Sequence, residues 1–377
     1  MREDVKLKIT DVKAYLLEFT VRPEGFKTYR WRKGLNIGET YIPENKMRRL
    51  LLEVETDEGV KGFAFSGHGR VMLELVREVF RPLLLGEDPL MREKIWKKIW
   101  DIDRIRQLPV YAQGPVDVAL WDIAGKAAGL PVYKLLGGYR SRVKAYASTF
   151  TLPTVEDYVK LAEEAVNRGY TAIKLHVWGD VEKDIEACRA VREAVGDGVK
   201  LMLDASGAYT HEEALWAGKE LEKLNYYWFE EPIRDYDIHG LKTLRSKLNI
   251  PLLVAETTWG SLFDAANHII QGTGDIIHSD CTLKAGITGL LKTAHLCEAF
   301  GIKCQVHGPG LPNLHVICAI NNCEYYESIY PEDAFHFGLK NPPIVPDKEG
   351  YVHVPEKPGL GQEIDWSWVE EHTIEEL

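Results

Sequence analysis

From about residue 143 the chain keeps one rhythm, in which short β-branched or aromatic runs alternate with longer amphipathic ones. VKAYAS (143–148) leads into VEDYVKLAEEAVNRG, TAIKLHV (171–177) into DIEACRAVREAVG, and VKLMLDA (199–205) into HEEALWAGKELEKL. YYWFEEP (226–232), PLLVAE (251–256), DIIHSD (275–280) and IKCQVHG (302–308) repeat the pattern, and CEYYES (323–328) closes it. Near-continuous apolar strands, each followed by a helical pattern, predict a parallel sheet covered by helices. Eight such strands in about 200 residues predict a closed (β/α) barrel. The fold class expected is therefore α/β.

The polar residues fall where each strand stops: Lys174 and His176, then Asp204, Glu230, Glu256, Asp280 and His307. From Lys174 to His307 the separations are 30, 26, 26, 24 and 27 residues. One such residue taken alone reads as a helix cap or the start of a solvated loop. A full set in register at the carboxyl ends of barrel strands reads as an active site. Glu230 and Glu231 are adjacent on one strand and must face opposite sides, so only one of them serves the mouth.

Asp204, Glu230 and Glu256 come from three consecutive strands. Three carboxylates in one pocket repel unless a cation joins them. An all-oxygen set favours Mg²⁺, with Mn²⁺ as the alternative. Lys174 and His176 flank the trio on one side and Asp280 and His307 on the other. Proton-transfer groups on two faces of a metal-bound substrate suit proton abstraction beside a carboxylate.

Composition excludes other classes. A net charge of −11 without a basic run argues against nucleic acid and anionic membrane surfaces. No apolar stretch is long enough to span a bilayer. The opening MREDVKLKIT lacks an apolar secretion core, and six cysteines between Cys188 and Cys323 form no C-x-x-C pair. A cytoplasmic location is expected.

The N-terminal stretches LKITDVKAYLLE, LLLEVETDEGVKGFAFSG and QGPVDVALWDIAGKAAGLPVYKLLGG complete a pattern that resembles the enolase superfamily, mandelate racemase-like subgroup. Asp117, Trp121, Asp122, Lys126, Pro131 and the LLGG turn carry the resemblance, as do the strand-end residues. It implies a (β/α)7β modified TIM barrel with an α+β N-terminal capping domain. The expected division is a capping domain over 1–135, a barrel over 136–345 and a segment over 346–377 returning to the cap. It implies Asp204, Glu230 and Glu256 as Mg²⁺ ligands, His307 with Asp280 as a catalytic dyad, and Glu327 as partner of the substrate carboxylate. Glu324 is the rival for that last role, on the opposite face by its offset. A homo-oligomer is also implied.

Two positions depart from the subgroup. The usual Lys-x-Lys of strand two is here Lys174-Leu175-His176, and Ser206 stands where Asn is common. With His176 in place of the second lysine, acid-sugar dehydration is favoured over racemisation. In the reaction the resemblance points to, the substrate carboxylate and 2-hydroxyl would chelate Mg²⁺, a base on the strand-two side would take the C2 proton, and His307 would protonate the departing 3-hydroxyl. The enol product then ketonises to a 2-keto-3-deoxy acid. A racemase or epimerase of a 2-hydroxy carboxylate is the near alternative, and a Schiff-base aldolase using Lys174 a distant one. Residues 21–40, Gly-punctuated, basic and aromatic, read as a substrate lid in which Arg22, Arg30, Trp31 and Arg32 meet the polyhydroxy chain, with His68 and Ser206 as further contacts.

Overall fold

The computed structural model describes residues 7–20, 46–331 and 336–377. Its thirteen strands are β1 (Ile9–Thr20), β2 (Lys46–Thr56), β3 (Lys61–Ser66), β4 (Arg142–Ser148), β5 (Ala172–His176), β6 (Lys200–Asp204), β7 (Trp228–Glu230), β8 (Leu252–Val254), β9 (Ile276–Ser279), β10 (Lys303–Val306), β11 (Tyr325–Ile329), β12 (Tyr351–His353) and β13 (Thr373–Glu376). Strands β4 to β11 are mutually parallel and run in the spatial order β10-β9-β8-β7-β6-β5-β4-β11. Among the described residues no ladder joins β10 to β11. The gap is spanned instead by the Cys304 N–H donating to Asn322 O at 3.0 Å and by Gln305 Nε2 donating to Tyr325 O at 2.8 Å. A helix follows each strand from β4 to β10 and, among the described residues, none stands between β11 and β12, which is the expected (β/α)7β barrel.

Alternation sorts the strand side chains. Ile173, Leu175, Leu201, Leu203, Phe229 and Ile277 join the large apolar core shared with the helices. Tyr146, Ala172, Met202, Trp228, Leu253, Ile276 and Tyr325 form a separate cluster that plugs the barrel interior. The strand-end polar residues stand above that plug, because positions two apart share a face. Two of the outer helices start on capping boxes, Thr154 with Asp157 and Thr210 with Glu213, each reciprocally bonded.

The N-terminal region forms an antiparallel sheet in the order β13-β1-β2-β3. The C-terminal segment supplies β13, pairing Tyr15 with Glu376, while β12 pairs with β4 of the barrel. Helix Gln113–Ala128 packs on β3 so closely that a Cβ on Gly62 would lie 2.1 Å from the Ala119 carbonyl oxygen. Its acidic residues are structural ties. Asp117 accepts from Thr288 N (2.8 Å) and Thr288 Oγ1 (2.6 Å) at the start of helix Gly286–Ala299, and Trp121 Nε1 donates to the same hydroxyl at 2.9 Å. Asp122 accepts from the Phe63 and Leu360 amides at 3.1 and 2.9 Å and from Lys126 at 2.7 Å. The motif thus clamps the cap to the barrel helix that follows β9 and Asp280. Among the described residues no helix is long and apolar enough to cross a membrane.

Candidate active site

Register sets the heights of the strand-end residues. His176 lies opposite Asp204, and Asp204 opposite Glu230, on three neighbouring strands. Lys174 lies two residues deeper on the same face of β5. Asp280 and His307 each sit one residue beyond β9 and β10, and Glu327 lies within β11.

Glu256 breaks the alternation. By period two it would join Leu252 and Val254 on the helix side, yet it enters the mouth and meets His278 and His307. Ala255 between them is left-handed, with φ 78°, an unusual conformation for a residue with a side chain. That kink turns Glu256 inward.

Lys174 is completely buried, with Nζ 2.7 Å from Glu230 Oε1 and 3.0 Å from Glu327 Oε1. Burial alone would lower its pKa, but the two carboxylates outweigh it and hold the ammonium well above its ordinary value. Lys174 is a fixed cation. Glu230 Oε2 also accepts from Trp228 Nε1 at 3.0 Å. Its pKa is nonetheless raised, by burial first and by Asp204 and Glu256, against Lys174 and His278. A buried carboxylate pushed up by two others on neighbouring strands is what a dication would relieve, and the oxygens of Asp204, Glu230 and Glu256 fit Mg²⁺.

On the opposite side His307 Nδ1 is 2.7 Å from Asp280 Oδ2 and Nε2 is 3.3 Å from Glu256 Oε1. Asp280 is held in turn by the Thr282 amide at 2.5 Å and by the Leu283 amide. Burial would depress the imidazole, but Glu256 and the Asp280 hydrogen bond overcome it and raise its pKa to about 10. Glu256 goes the other way, down to about 2, because His307 and His278 outweigh the effect of burial.

His176 Nε2 lies 2.7 Å from Asp204 Oδ2, and its Nδ1 is buried without a hydrogen-bond partner. Asp204 Oδ1 accepts from Ser206 N at 2.6 Å and Ser206 Oγ at 2.9 Å. Ser206 thus orients the Asp204 carboxylate. Glu327 is sealed in the barrel, with Oε2 accepting from the Gly308 amide at 2.6 Å. Lys174 and His307 overcome burial and depress its pKa, so both oxygens already serve the protein. Glu324 lies at the far end of the barrel, bonded to Tyr227 and 3.0 Å from Lys303 Nζ, which removes it as a rival. Glu231 accepts from Thr257 Oγ1 at 2.8 Å, and burial together with Glu256, Asp235 and Asp204 holds its pKa well above the ordinary value.

His68 is exposed and left-handed (φ 54°), and it stacks on Tyr111 with ring centroids 4.1 Å apart. Tyr111 meets Trp259, three residues past Glu256, at 5.7 Å. His68 is thus joined through rings to the loop that follows β8. Arg22, Arg30, Trp31 and Arg32 lie outside the described residues.

Sequence reasoning passed over His278. Among the described residues, one ligand atom each from Glu230, Glu256 and His278 lie within 4.8 Å of one another, and Asp204 is outside that grouping. The signal was available, since His278 precedes Asp280 by two residues and so shares its face.

Residues 157–368 match the family described as Enolase C-terminal domain-like. Residues 41–137 match the mandelate racemase / muconate lactonizing enzyme N-terminal domain. Arabinonate dehydratase of Saccharolobus solfataricus is 31% identical over 338 residues, 86% of this chain and 90% of that protein. Hydrophobic dipeptide epimerase of Enterococcus faecalis is 33% identical over 266 residues, 68% of this chain and 73% of that protein. The crystal structure of D-glucarate dehydratase from Agrobacterium tumefaciens complexed with magnesium superposes with a TM-score of 0.87 at 36% identity, covering 98% of this chain and 99% of that one.

Proposed function

The chain belongs to the mandelate racemase/muconate lactonizing enzyme family of the enolase superfamily, and on that premise we propose that it is a Mg²⁺-dependent hydro-lyase converting an aldonic or aldaric acid to its 2-keto-3-deoxy acid. The observation that carries the reading is the asymmetry of the two faces. Lys174, clamped between Glu230 and Glu327, is a cation with no free pair, whereas His307 beside Asp280 is an imidazolium ready to give a proton. Racemisation at one carbon would need His307 to act as a second base opposite His176, whereas Glu256 and Asp280 favour its charged, proton-giving form. The clamp also disfavours a Schiff base at Lys174, since the nucleophilic amine must be neutral.

Mg²⁺ held by Asp204, Glu230 and Glu256 would supply positive charge to the substrate carboxylate as the neighbouring carbon loses its proton. Lys174 adds a second positive charge beneath that position. With Lys174 held as a cation, His176, oriented by Asp204 through Nε2, is the side chain on the strand-two side that takes the C2 proton. His307 Nε2 then protonates the 3-hydroxyl as it leaves as water, and the enol ketonises. Asp280 fixes the tautomer and stabilises the charged ring. Glu327 acts through Lys174. The lid residues and His68 belong to this proposal as contacts for the distal hydroxyls, as does assembly into a homo-oligomer, which light scattering reads.

The test is a screen of acid sugars with Mg²⁺, in which semicarbazide detects 2-keto-3-deoxy products. Turnover of at least one acid to such a product is expected. No turnover across the library, or proton exchange and epimer formation alone by NMR in D₂O, sinks the dehydratase reading.

A further inference from the structure

The proposed reaction leaves His278 without a task, although it is buried at the centre of the site. The residue lies in β9, with 1% of its surface accessible. Its Nδ1 is 3.3 Å from Glu230 Oε1 and 3.2 Å from Glu256 Oε2. The other fixings of these carboxylates are separate: Lys174 and Trp228 hold Glu230, and His307 holds Glu256. His278 is the group that touches both. Its ring stands nearly perpendicular to that of His307, with centroids 5.3 Å apart, so the imidazole is wedged in place.

The geometry points to His278 as a positioning residue of the metal centre, its Nδ1–H bonded to Glu256 and standing against Glu230 so that it sets their spacing while the ring stays outside the coordination sphere. This rests on the reading of Asp204, Glu230 and Glu256 as metal ligands. A proton on Nδ1 bonds Glu256 Oε2 at 3.2 Å and has Glu230 Oε1 as a charged neighbour at 3.3 Å. A proton on Nε2, the tautomer that a nitrogen ligand through Nδ1 requires, would be a buried donor without a partner, since Nε2 has none. Ligating histidines characteristically donate their second ring N–H to a protein group, and that support is missing here. Hard dications also prefer the carboxylate oxygens.

The probe is Mn²⁺, titrated into the wild-type enzyme and into His278→Leu, His278→Gln and Glu230→Gln, with circular dichroism as the check on folding. His278→Leu is expected to weaken Mn²⁺ binding about 10- to 100-fold. His278→Gln, which keeps an N–H donor, is expected to recover most of that loss. Pulsed electron paramagnetic resonance of the Mn²⁺-loaded wild-type enzyme is expected to show no directly coordinated nitrogen. Where leucine disturbs the barrel interior, His278→Ala gives the same reading. Unchanged affinity in the leucine or alanine variant overturns the positioning role. A coordinated-nitrogen coupling that vanishes in His278→Gln overturns it as well, by making His278 a ligand. Failure of the wild-type enzyme itself to bind Mn²⁺ at the site lost in Glu230→Gln removes the underlying metal reading.

Discussion

Two buried acidic groups in this molecule differ in what surrounds them. At the junction of cap and barrel, Asp117 and Asp122 have every oxygen committed to an amide, a hydroxyl or Lys126, and burial is the main cause that raises their pKa. At the barrel mouth the oxygens of Asp204, Glu230 and Glu256 also have protein partners, but here the carboxylates act on one another: Asp204 and Glu256 add to burial in raising the pKa of Glu230 despite Lys174. Mutual repulsion of that kind is what a dication would relieve. Burial, residue type and the supply of partners are alike in both places, so none of them separates a structural carboxylate from a functional one. The nearness of other carboxylates does.

The comparison is broken most severely if the mouth proves to be as purely structural as the junction. Glu230→Gln is expected to abolish Mg²⁺ binding and lower turnover by about 10³-fold or more, checked by calorimetry and by keto-acid assay. Wild-type metal affinity in that variant would sink the contrast. Next in size, His307→Asn is expected to cost about 10²- to 10⁴-fold in turnover while Mg²⁺ still binds; normal turnover would take the dyad out of the mechanism.

The junction gives the reverse pattern. Asp117→Ala is expected to lower unfolding free energy by about 2–3 kcal/mol through two orphaned Thr288 donors and a lost helix-start contact, with metal affinity unchanged. Urea midpoints measure it, and a loss below about 0.5 kcal/mol would mean the tie is idle. The same tie is also read in the pH dependence. Burial pushes the Asp117 carboxyl up to about 7, against the two bonds from Thr288. A carboxyl whose folded pKa exceeds its unfolded value contributes stability that is full below the unfolded pKa, near 4, and fades as pH rises through about 7. Asp117→Asn should therefore flatten part of the fall in stability between those values, leaving the share from Asp184, likewise pushed to about 7. An unaltered slope would place the Asp117 pKa nearer its ordinary value.

The barrel was legible because local patterns carry it: β-branched runs, amphipathic stretches and capping residues such as Thr154 and Thr210 all depend on near neighbours in the chain. The strand-end register was legible for the same reason, and Lys174, Asp204, Glu230, Asp280, His307 and Glu327 all stand at the mouth or just beneath it. The function of the Asp117–Asp122 stretch was not legible, because its partners Thr288, Phe63 and Leu360 are distant in sequence. A family resemblance singled it out without saying that it clamps two regions together. The hydroxyl of Ser206 turning back onto Asp204 was not legible either, because the residue types alone do not fix which way a side chain in that turn points.

The sequence alone determined which chemical groups reach the carboxyl ends of the strands, because side-chain alternation and strand length are properties of short segments. Only the tertiary structure decided their electrical state and their aim. The left-handed turn at Ala255 sends Glu256 inward against the period, two carboxylates from separate strands lock Lys174 as a cation, and His278 spans two acids 22 or more residues away. Charge coupling and orientation depend on distances through space, and the order of residues along a chain does not contain them.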